Sequence, residues 1–207
     1  MAYLINFEGI DGSGTETWSK YAQGLLEELG FTVSLFRYPD YQSLWGKIIE
    51  SFLDKKVNLS TEVQFLTFAT DIIKDISRIR EELQAGRSVV TDRYIISTVA
   101  YQCAKGFPME IAQRFVELFE VPKPDMTILL VISAEESARR KKSERGMLDR
   151  HEENIAYLNT VNRYYRKLYD QGFFSKKWVI IDSSGSKEKT KKDVQQTLIN
   201  AFNLPFR

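Results

Sequence analysis

The chain has 207 residues, of which 43% are hydrophobic and 28% are charged, a composition typical of a globular domain with a sizeable core. Its formal net charge of +1 excludes a bulk electrostatic attraction to nucleic acid or to an anionic membrane, and no apolar run reaches the roughly 18 residues of a membrane-spanning helix. Cys103 is the only cysteine, which excludes an intrachain disulfide and a cysteine-based zinc site, and no linker divides the chain, so we expect one cytoplasmic domain over residues 1–207.

The first predicted elements are a strand at residues 3–7 and a helix from Thr17, with a glycine-rich loop between them. The loop has three glycines in six positions, and the spacing of Gly9 and Gly14 fits the phosphate-binding loop of nucleotide kinases. Glycine lets the backbone curl so that successive N–H groups and the positive end of the next helix converge on one anion. An ordinary glycine turn is the alternative. The residues predicted to bind phosphate are Gly9, Ile10, Asp11, Gly12, Ser13, Gly14, Thr15, Glu16 and Thr17.

Two positions of this loop depart from the nucleotide-kinase motif. The motif has a lysine that reaches the β and γ phosphates, followed by a small hydroxyl that binds Mg²⁺, whereas this chain has Thr15 and Glu16. One unit charge at 4 Å and an effective dielectric of about 20 is worth roughly 4 kcal/mol before solvation losses. Losing a lysine and gaining a glutamate beside a triphosphate is therefore a large electrostatic change.

The rest of the chain alternates predicted strands with predicted helices. Apolar runs predict further strands at 31–36, 88–92, 126–132 and 178–182. Helical spacing and capping residues predict helices at 17–29, 43–53, 61–83, 108–119, 149–169 and 187–202, one that ends at Ala104 and one that Ser133 opens. This order predicts an α/β fold with a five-stranded parallel sheet and helices on both faces.

The carboxyl ends of the predicted strands carry most of the polar residues of interest. The glycine loop follows the first strand, Arg37 the second, and Asp92 and Arg93 the third, while residues 182–183 end the last. Ligands of parallel sheets bind beyond these ends. We therefore expect one cleft that four strand ends approach.

Four stretches, taken with the spacing between them, resemble the thymidylate kinase family. They are the loop at 7–14, the turn at 38–43, the signature at 92–102 that reads DRYIISTVAYQ, and the segment 148–152. The resemblance covers residues 3 to about 185. It implies a P-loop kinase fold with a short lid at about 139–150, usually dimeric, that passes the γ phosphate of ATP·Mg²⁺ to dTMP.

The resemblance implies catalytic roles for Asp11, Arg93, Arg145 and Arg150. Asp11 would hold the acceptor phosphate and a metal-bound water, and Arg93 would fork onto donor and acceptor phosphates. The basic cluster at 139–145, together with Arg150, would close over ATP as the lid. The plainer alternatives are a turn-stabilising side chain for Asp11, a salt bridge with Asp92 for Arg93 and a solvated helix face for the cluster.

The acceptor side is also assigned through the resemblance. Phe68 matches the aromatic side chain under the thymine ring, Thr98 and Gln102 match base-edge contacts, and Tyr101 matches a ring that crowds the sugar 2′ position. Packing on a helix face is the alternative for all four. His151 falls where the family often has a tyrosine, and we expect a partly exposed helix histidine there. The predicted substrate-binding residues are Arg37, Tyr41, Phe68, Arg93, Ser97, Thr98, Tyr101 and Gln102.

The chain departs from the family at three positions, and at each of them the family has a residue that serves the phosphates or their metal ion. Besides Thr15 and Glu16, Ile72 stands where the family has an arginine for the acceptor phosphate. Backbone N–H groups, lid cations and Arg37 are possible replacements, and Glu16 is a possible direct Mg²⁺ ligand because carboxylate oxygen suits that ion. We predict that Glu16 and Asp92 form the metal site.

Three functions are compatible with these residues. The first is a working kinase of deoxynucleoside monophosphates that prefers dTMP and uses ATP with Mg²⁺, because the acceptor half is intact. The second is a catalytically weak relative that binds a nucleotide as a sensor or partner-binding module, as the altered loop suggests. The third is a nucleoside kinase, suggested by the arginine that Ile72 replaces.

Overall fold

Five apolar runs form the strands of one parallel sheet. The computed structural model describes residues 2–145 and 149–202. The strands are β1 (Leu4–Glu8), β2 (Val33–Arg37), β3 (Ser88–Asp92), β4 (Met126–Val131) and β5 (Trp178–Asp182). Their order across the sheet is β2-β3-β1-β4-β5, and every pairing is parallel. The predicted five-stranded parallel sheet is confirmed.

The register brings the carboxyl ends of the central strands together. Asp92 is the partner of Phe7 on one side and of Arg37 on the other. Because the strands are parallel, the segments that follow them leave the sheet at the same edge. The glycine loop, Arg37 and Arg93 are therefore neighbours, as the sequence predicted.

Helices cover both faces of the sheet. They are α1 (Thr15–Glu28), α2 (Leu44–Leu53), α3 (Thr61–Ile73), α4 (Ile76–Gln84), α5 (Ile95–Ala104), α6 (Met109–Leu118), α7 (Ala134–Arg145), α8 (Ile155–Asp170) and α9 (Lys187–Phe202). Alternate strand residues point to opposite faces, so Val89 packs with α3, α5 and α8 while Val90 packs with α1 and α9. These two cores make the α/β fold with both sheet faces covered.

The predicted helix at 61–83 is wrong, because two helices occupy this range. The α3 helix ends at Ile73 and α4 begins at Ile76. Asp75 lies between them, and its N–H bonds the carbonyl three residues earlier, on Ile72, at 3.1 Å. The Asp75 carboxylate accepts from the Tyr38 hydroxyl at 3.2 Å, a contact between distant segments that helical periodicity does not encode. The α3 helix begins at Thr61, as predicted, and its N-cap is Ser60.

The predicted start of the helix at residue 149 is also wrong. The α8 helix begins at Ile155, and Asp149 forms a turn in which its Oδ1 accepts from the N–H groups of His151 and Glu152. Aspartate side chains compete in this way with the backbone bonds of a helix. At the other end of the chain, α1 starts at Thr15 rather than at Thr17.

Within residues 2–145 and 149–202, no helix combines the length and the apolar character needed to cross a bilayer.

Candidate active site

A cleft of about 380 Å³ opens at the carboxyl edge of the sheet. The glycine loop forms one side of it, the ends of β2 and β3 form its base, and α3, α5, α7 and residues 149–152 form the remaining walls. The structure thus brings most of the predicted site residues to one place. The predicted residues that line the cleft are Asp11, Gly12, Gly14, Thr15, Glu16, Thr17, Arg37, Tyr41, Phe68, Asp92, Arg93, Ser97, Thr98 and Tyr101.

The glycine loop has the backbone that an anion cradle needs. Gly12 and Gly14 have φ angles of +73° and +95°, which favour glycine. A Cβ on Gly9 would lie 2.5 Å from the carbonyl oxygen of Leu130, so no larger residue fits there. Ile10 and Ser13 are buried and do not line the cleft. We therefore expect these two residues to contribute backbone N–H groups, and not their side chains, to phosphate binding.

Asp11, Arg93 and Tyr101 form a network at the centre of the cleft. The Arg93 guanidinium donates to Asp11 Oδ1 at 2.8 Å and to the Gly9 carbonyl at 2.5 Å, and the Tyr101 hydroxyl donates to Asp11 Oδ2 at 2.9 Å. Burial alone would raise the pKa of Asp11, but the positive charge of Arg93 and the hydrogen bond from the Tyr101 hydroxyl hold this pKa below its ordinary value. Asp11 is therefore an anion at neutral pH.

Arg93 adopts an uncommon backbone conformation. Its φ angle is +65°, and its N–H bonds the Phe7 carbonyl at 2.9 Å. Residues other than glycine occupy this region rarely, and such residues concentrate at functional sites. The conformation turns the chain from β3 into α5 and leaves the guanidinium in the cleft.

Glu8 is a buried carboxyl group that the sequence prediction missed. It accepts from the N–H groups of Tyr94 and Ser97 at 3.0 and 3.3 Å, from the Tyr165 hydroxyl at 3.0 Å and from the Ser97 hydroxyl. Burial raises its pKa to about 7 in spite of these bonds. Glu8 fixes the first turn of α5, and it engages the hydroxyl of Ser97 that was predicted to bind substrate. A charged residue at the end of an apolar strand was the signal available.

Arg37 lies between the two residues predicted to hold a metal. Its guanidinium pairs with Glu16 Oε2 and donates to Asp92 Oδ2 at 3.1 Å, while Lys20 Nζ pairs with Glu16 Oε1 at 2.9 Å. Among the described residues, Asp92 Oδ1 is buried without a hydrogen-bond partner, and no group of three or more His, Cys, Asp or Glu side chains could hold a metal. The two carboxylates thus form only part of a metal site, and Arg37 already neutralises part of their negative charge.

The acceptor side of the cleft is mainly aromatic and apolar. Phe68, Ile72, Thr98 and Tyr101 line it, whereas Gln102 is fully buried and does not. Both polar atoms of the Gln102 amide lack hydrogen-bond partners in the part of the chain that the structure describes. The structure therefore brings Thr98 to the cleft but not Gln102, although both were predicted to contact the base edge.

The expectation that His151 is partly exposed is wrong. Its side chain is 4% exposed and lines the cleft. The Nε2 atom lies 2.9 Å from Lys105 Nζ, and the ring packs near those of Phe52, Tyr101 and Tyr157. Burial and the charge of Lys105 lower the pKa of His151 to about 3. The sequence contained no local signal for this pair, which is 46 residues apart.

The α7 helix joins the predicted lid to the glycine loop. Ser137 Oγ donates to the Asp11 carbonyl at 2.6 Å, and Arg140 donates to the carbonyls of Gly12 and Ser183 at 3.1 and 2.9 Å. Lys141 lines the cleft and pairs with Glu144 at 2.9 Å. The sequence identified the basic cluster, but it did not indicate which of its members reach the loop.

Two predicted catalytic arginines have different outcomes. The side chain of Arg145 and residues 146–148 lie outside the described residues, so the role of Arg145 stays a prediction. Arg150 does not line the cleft. Its guanidinium donates to the carbonyls of Phe52 and Val57 at 2.9 and 3.2 Å and lies 4.7 Å from the Phe52 ring centroid. These bonds hold Arg150 at the end of α2, and its predicted catalytic role stays a prediction.

Comparisons with known proteins agree on one family. The family model for thymidylate kinase matches residues 7–194. The chain is 34% identical over 202 residues to the probable thymidylate kinase of Archaeoglobus fulgidus, with 97% of each chain covered. It is 30% identical to the thymidylate kinase of Arabidopsis thaliana, over 95% of this chain and 71% of that protein. It is 29% identical to the thymidylate kinase of Danio rerio, over 97% and 92%.

Proposed function

The chain belongs to the thymidylate kinase family, and we propose that it transfers the γ phosphoryl group of ATP to dTMP. The observation that carries this proposal is the network of Asp11, Arg93 and Tyr101, which stands between the glycine loop and an aromatic acceptor pocket. With ATP at the glycine loop and dTMP in the acceptor pocket, the phosphates of both nucleotides would lie near Arg93. The family comparison supports dTMP phosphorylation and favours neither a nucleotide sensor nor a nucleoside kinase.

Phosphoryl transfer requires the protein to align the two nucleotides and to supply positive charge, and it does not require a strong base. A phosphate monoester has a second pKa near 6, so the attacking oxygen of the acceptor is already ionised at neutral pH. Charge accumulates on the transferring oxygens, and positively charged groups stabilise it. The cationic side chains that line the cleft within the described ranges are Arg37, Arg93 and Lys141. We assign them the charge that Thr15 and Ile72 do not supply.

Mg²⁺ is proposed as the metal that accompanies ATP. Asp92 and Glu16 would hold it, since their carboxylate oxygens suit this ion and Asp92 Oδ1 is buried without another partner among the described residues. Mg²⁺ sites commonly use one or two carboxylates and complete the shell with phosphate and water. When bound, the ion neutralises charge on the β and γ oxygens. Arg37 pairs with both carboxylates, and it would exchange its exposed partner Glu16 for a phosphate when the ion binds while keeping its bond to Asp92.

A homodimer in the cytoplasm is the proposed state of the protein. The α3 and α6 helices are neighbours, because the rings of Phe65 and Phe115 lie 5.1 Å apart, and both expose apolar side chains that a second copy would cover. These are Val63, Leu66, Ile111, Leu118 and the adjoining Phe119. Sedimentation velocity tests the state: the wild type should be a dimer and Leu66→Glu a monomer, whereas a monomeric wild type at micromolar concentration would refute the dimer.

A coupled ADP-release assay tests the proposed reaction. With ATP·Mg²⁺ present, dTMP should give the fastest turnover among the deoxynucleoside monophosphates. An Arg93→Met preparation, purified in parallel, is the control for a contaminating kinase. Absence of turnover with every monophosphate would contradict the proposal, and turnover with thymidine would identify a nucleoside kinase instead.

A further inference from the structure

A lysine and the only histidine of the chain form a polar pair at the edge of the cleft. Lys105 Nζ lies 2.9 Å from His151 Nε2 and donates to Gln64 Oε1 at 2.5 Å. The same ammonium lies 4.8 Å from the Phe52 ring centroid and 5.3 Å from that of Tyr157. Aromatic rings therefore surround a bond between two basic groups.

This pairing determines where the imidazole carries its proton. A lysine ammonium has three donors and no acceptor, so His151 Nε2 must accept, and a neutral ring must then carry its hydrogen on Nδ1. Burial lowers the pKa of Lys105 to about 8, which leaves it charged at pH 7. The pKa of His151 near 3 leaves the ring neutral at the same pH. Both shifts agree with the assignment that the geometry requires.

The other ring nitrogen is available to a ligand. Within the described residues, the hydrogen bonding of the His151 ring is confined to Nε2, and the residue lines the cleft. Its ring centroid lies 5.4 Å from that of Tyr101, whose hydroxyl bonds Asp11. The cleft thus offers an uncharged N–H donor in the neighbourhood of a carboxylate acceptor.

We propose that His151 is a specificity-determining residue, which donates its Nδ1–H to an uncharged oxygen of the acceptor nucleotide, and that Lys105 is the positioning residue that fixes this tautomer. The inference rests on the proposed function, because it takes a nucleotide as the acceptor. A sugar hydroxyl and a base carbonyl share the required chemistry. A merely structural role, in which the pair only attaches residues 149–152 to α5, is the competing account.

Nitrogen NMR tests the tautomer without any substrate. Because the chain has one histidine, tag-free protein labelled with ¹⁵N-histidine gives the signals of a single ring. At pH 7 the wild type should show the Nδ1–H tautomer, and Lys105→Met should shift the population toward Nε2–H and raise the ring pKa toward 6.5. An Nε2–H or charged ring in the wild type would overturn the assignment, whatever the activity.

Titration calorimetry with dTMP tests the donor with a matched pair of variants. His151→Asn places an amide N–H near the position of Nδ1, whereas His151→Gln places it near Nε2. We expect dTMP affinity to fall about tenfold in His151→Gln and in His151→Leu, and to stay within about threefold of wild type in His151→Asn. In turnover assays of His151→Gln and His151→Leu, KM for dTMP should rise, and kcat should stay within about twofold of the wild-type value. Equal affinity in all four proteins, or a fall in kcat alone, would overturn the proposal.

The 3′-deoxy analogue of dTMP identifies the oxygen. If His151 donates to the sugar hydroxyl, the loss in His151→Leu should disappear for the analogue, and if it donates to the base, the loss should persist. Wild-type protein that binds no dTMP would refute the proposed function and this ligand assignment together. The NMR result would still decide the tautomer, so the two failures are distinguishable.

Discussion

The two sides of the cleft are built differently. The acceptor side comprises Phe68, Arg93, Thr98, Tyr101 and His151. The side chains of Arg93, Tyr101 and His151 are largely buried and hydrogen-bonded to other side chains of the protein. On the donor side, meaning the glycine loop with Arg37 and α7, the charged side chains are more exposed and pair with each other. Glu16 is 51% exposed and Arg139 is 71% exposed, and both are in ion pairs.

This difference indicates how the altered loop remains compatible with phosphoryl transfer. Exposed ion pairs contribute about 0–1 kcal/mol each, so a triphosphate can replace one of their partners at little cost. Buried pairs are costly to break once a partner is removed. The acceptor side therefore supplies preorganised alignment. The donor side supplies Arg37, which can exchange its exposed partner Glu16 for a phosphate, and Lys141, whose partner Glu144 is also exposed.

The largest expected effect is that of Arg93→Met. Removing this guanidinium leaves Asp11 without its ion pair and the transferring oxygens without a fixed cation, so kcat/KM should fall by about a thousandfold, a loss of about 4 kcal/mol. Steady-state kinetics with dTMP measure it. Arg166→Met, on the exposed side of α8, is the matched control and should retain activity. A loss below tenfold would show that Arg93 is not the main cation that stabilises the transferring oxygens.

The next effect concerns the pH dependence of stability, through Glu8. Its pKa in the folded protein is about 7, above the ordinary value of 4.5, so the folded state binds the proton more tightly than the unfolded state. This contribution to stability is complete below pH 4.5 and is lost as the pH rises through 7, by up to about 3 kcal/mol.

Glu8→Gln removes this titration. Relative to wild type, the variant should gain up to about 3 kcal/mol of unfolding free energy between pH 4.5 and 8, as measured by urea unfolding. His151, whose pKa is lowered, contributes an opposite slope below pH 6.5, but equally in both proteins. Parallel pH profiles would show that the pKa of Glu8 is not raised in the folded state.

A double substitution on the donor side should raise activity. Thr15→Lys with Glu16→Ser restores the loop cation and removes the carboxylate that pairs with Arg37, so kcat/KM for ATP should rise at least tenfold, about 1.4 kcal/mol. Glu28→Ser, at the exposed far end of α1, controls for the loss of an acidic side chain. A fall in activity would mean that the serine hydroxyl cannot replace the Glu16 carboxylate in holding Mg²⁺.

The smallest expected effect is that of Tyr101→Phe. It removes the hydroxyl that donates to Asp11 Oδ2, and a hydrogen bond to a charged group contributes about 1.5 kcal/mol or somewhat more. Because Arg93 still pairs with Asp11, we expect KM for dTMP to rise about fivefold with little change in kcat. Tyr164→Phe on α8 is the control. An unchanged KM would indicate that the Asp11 carboxylate needs no second donor.

Much of the fold followed from local patterns. Apolar runs gave all five strands, and the Ser133 cap of α7 is confirmed by the bond from the Glu136 N–H at 3.1 Å. The errors arose where a side chain competes with the helix pattern, from a distant segment at Asp75 and locally at Asp149. The break at Asp75 depends on Tyr38, and the turn at 149–154 depends on the Asp149 side chain.

The site was less predictable than the fold. Strand order places Asp11, Arg37 and Arg93 together, and this much follows from parallel topology. The bonds of Lys105 to His151 and of Arg140 to Gly12 join segments that are far apart in the chain. No spacing rule reports such pairs. The burial that gives Glu8 and His151 their pKa shifts likewise depends on packing across the whole sheet.

The most direct test of the central claim follows the phosphoryl group itself. The chain is incubated with dTMP, Mg²⁺ and ATP labelled on the γ phosphate, and the nucleotides are separated. We predict that the label moves into dTDP, because the acceptor side and the exchangeable cations suffice without the loop lysine. Label that stays in ATP, or that appears only as inorganic phosphate, would contradict it.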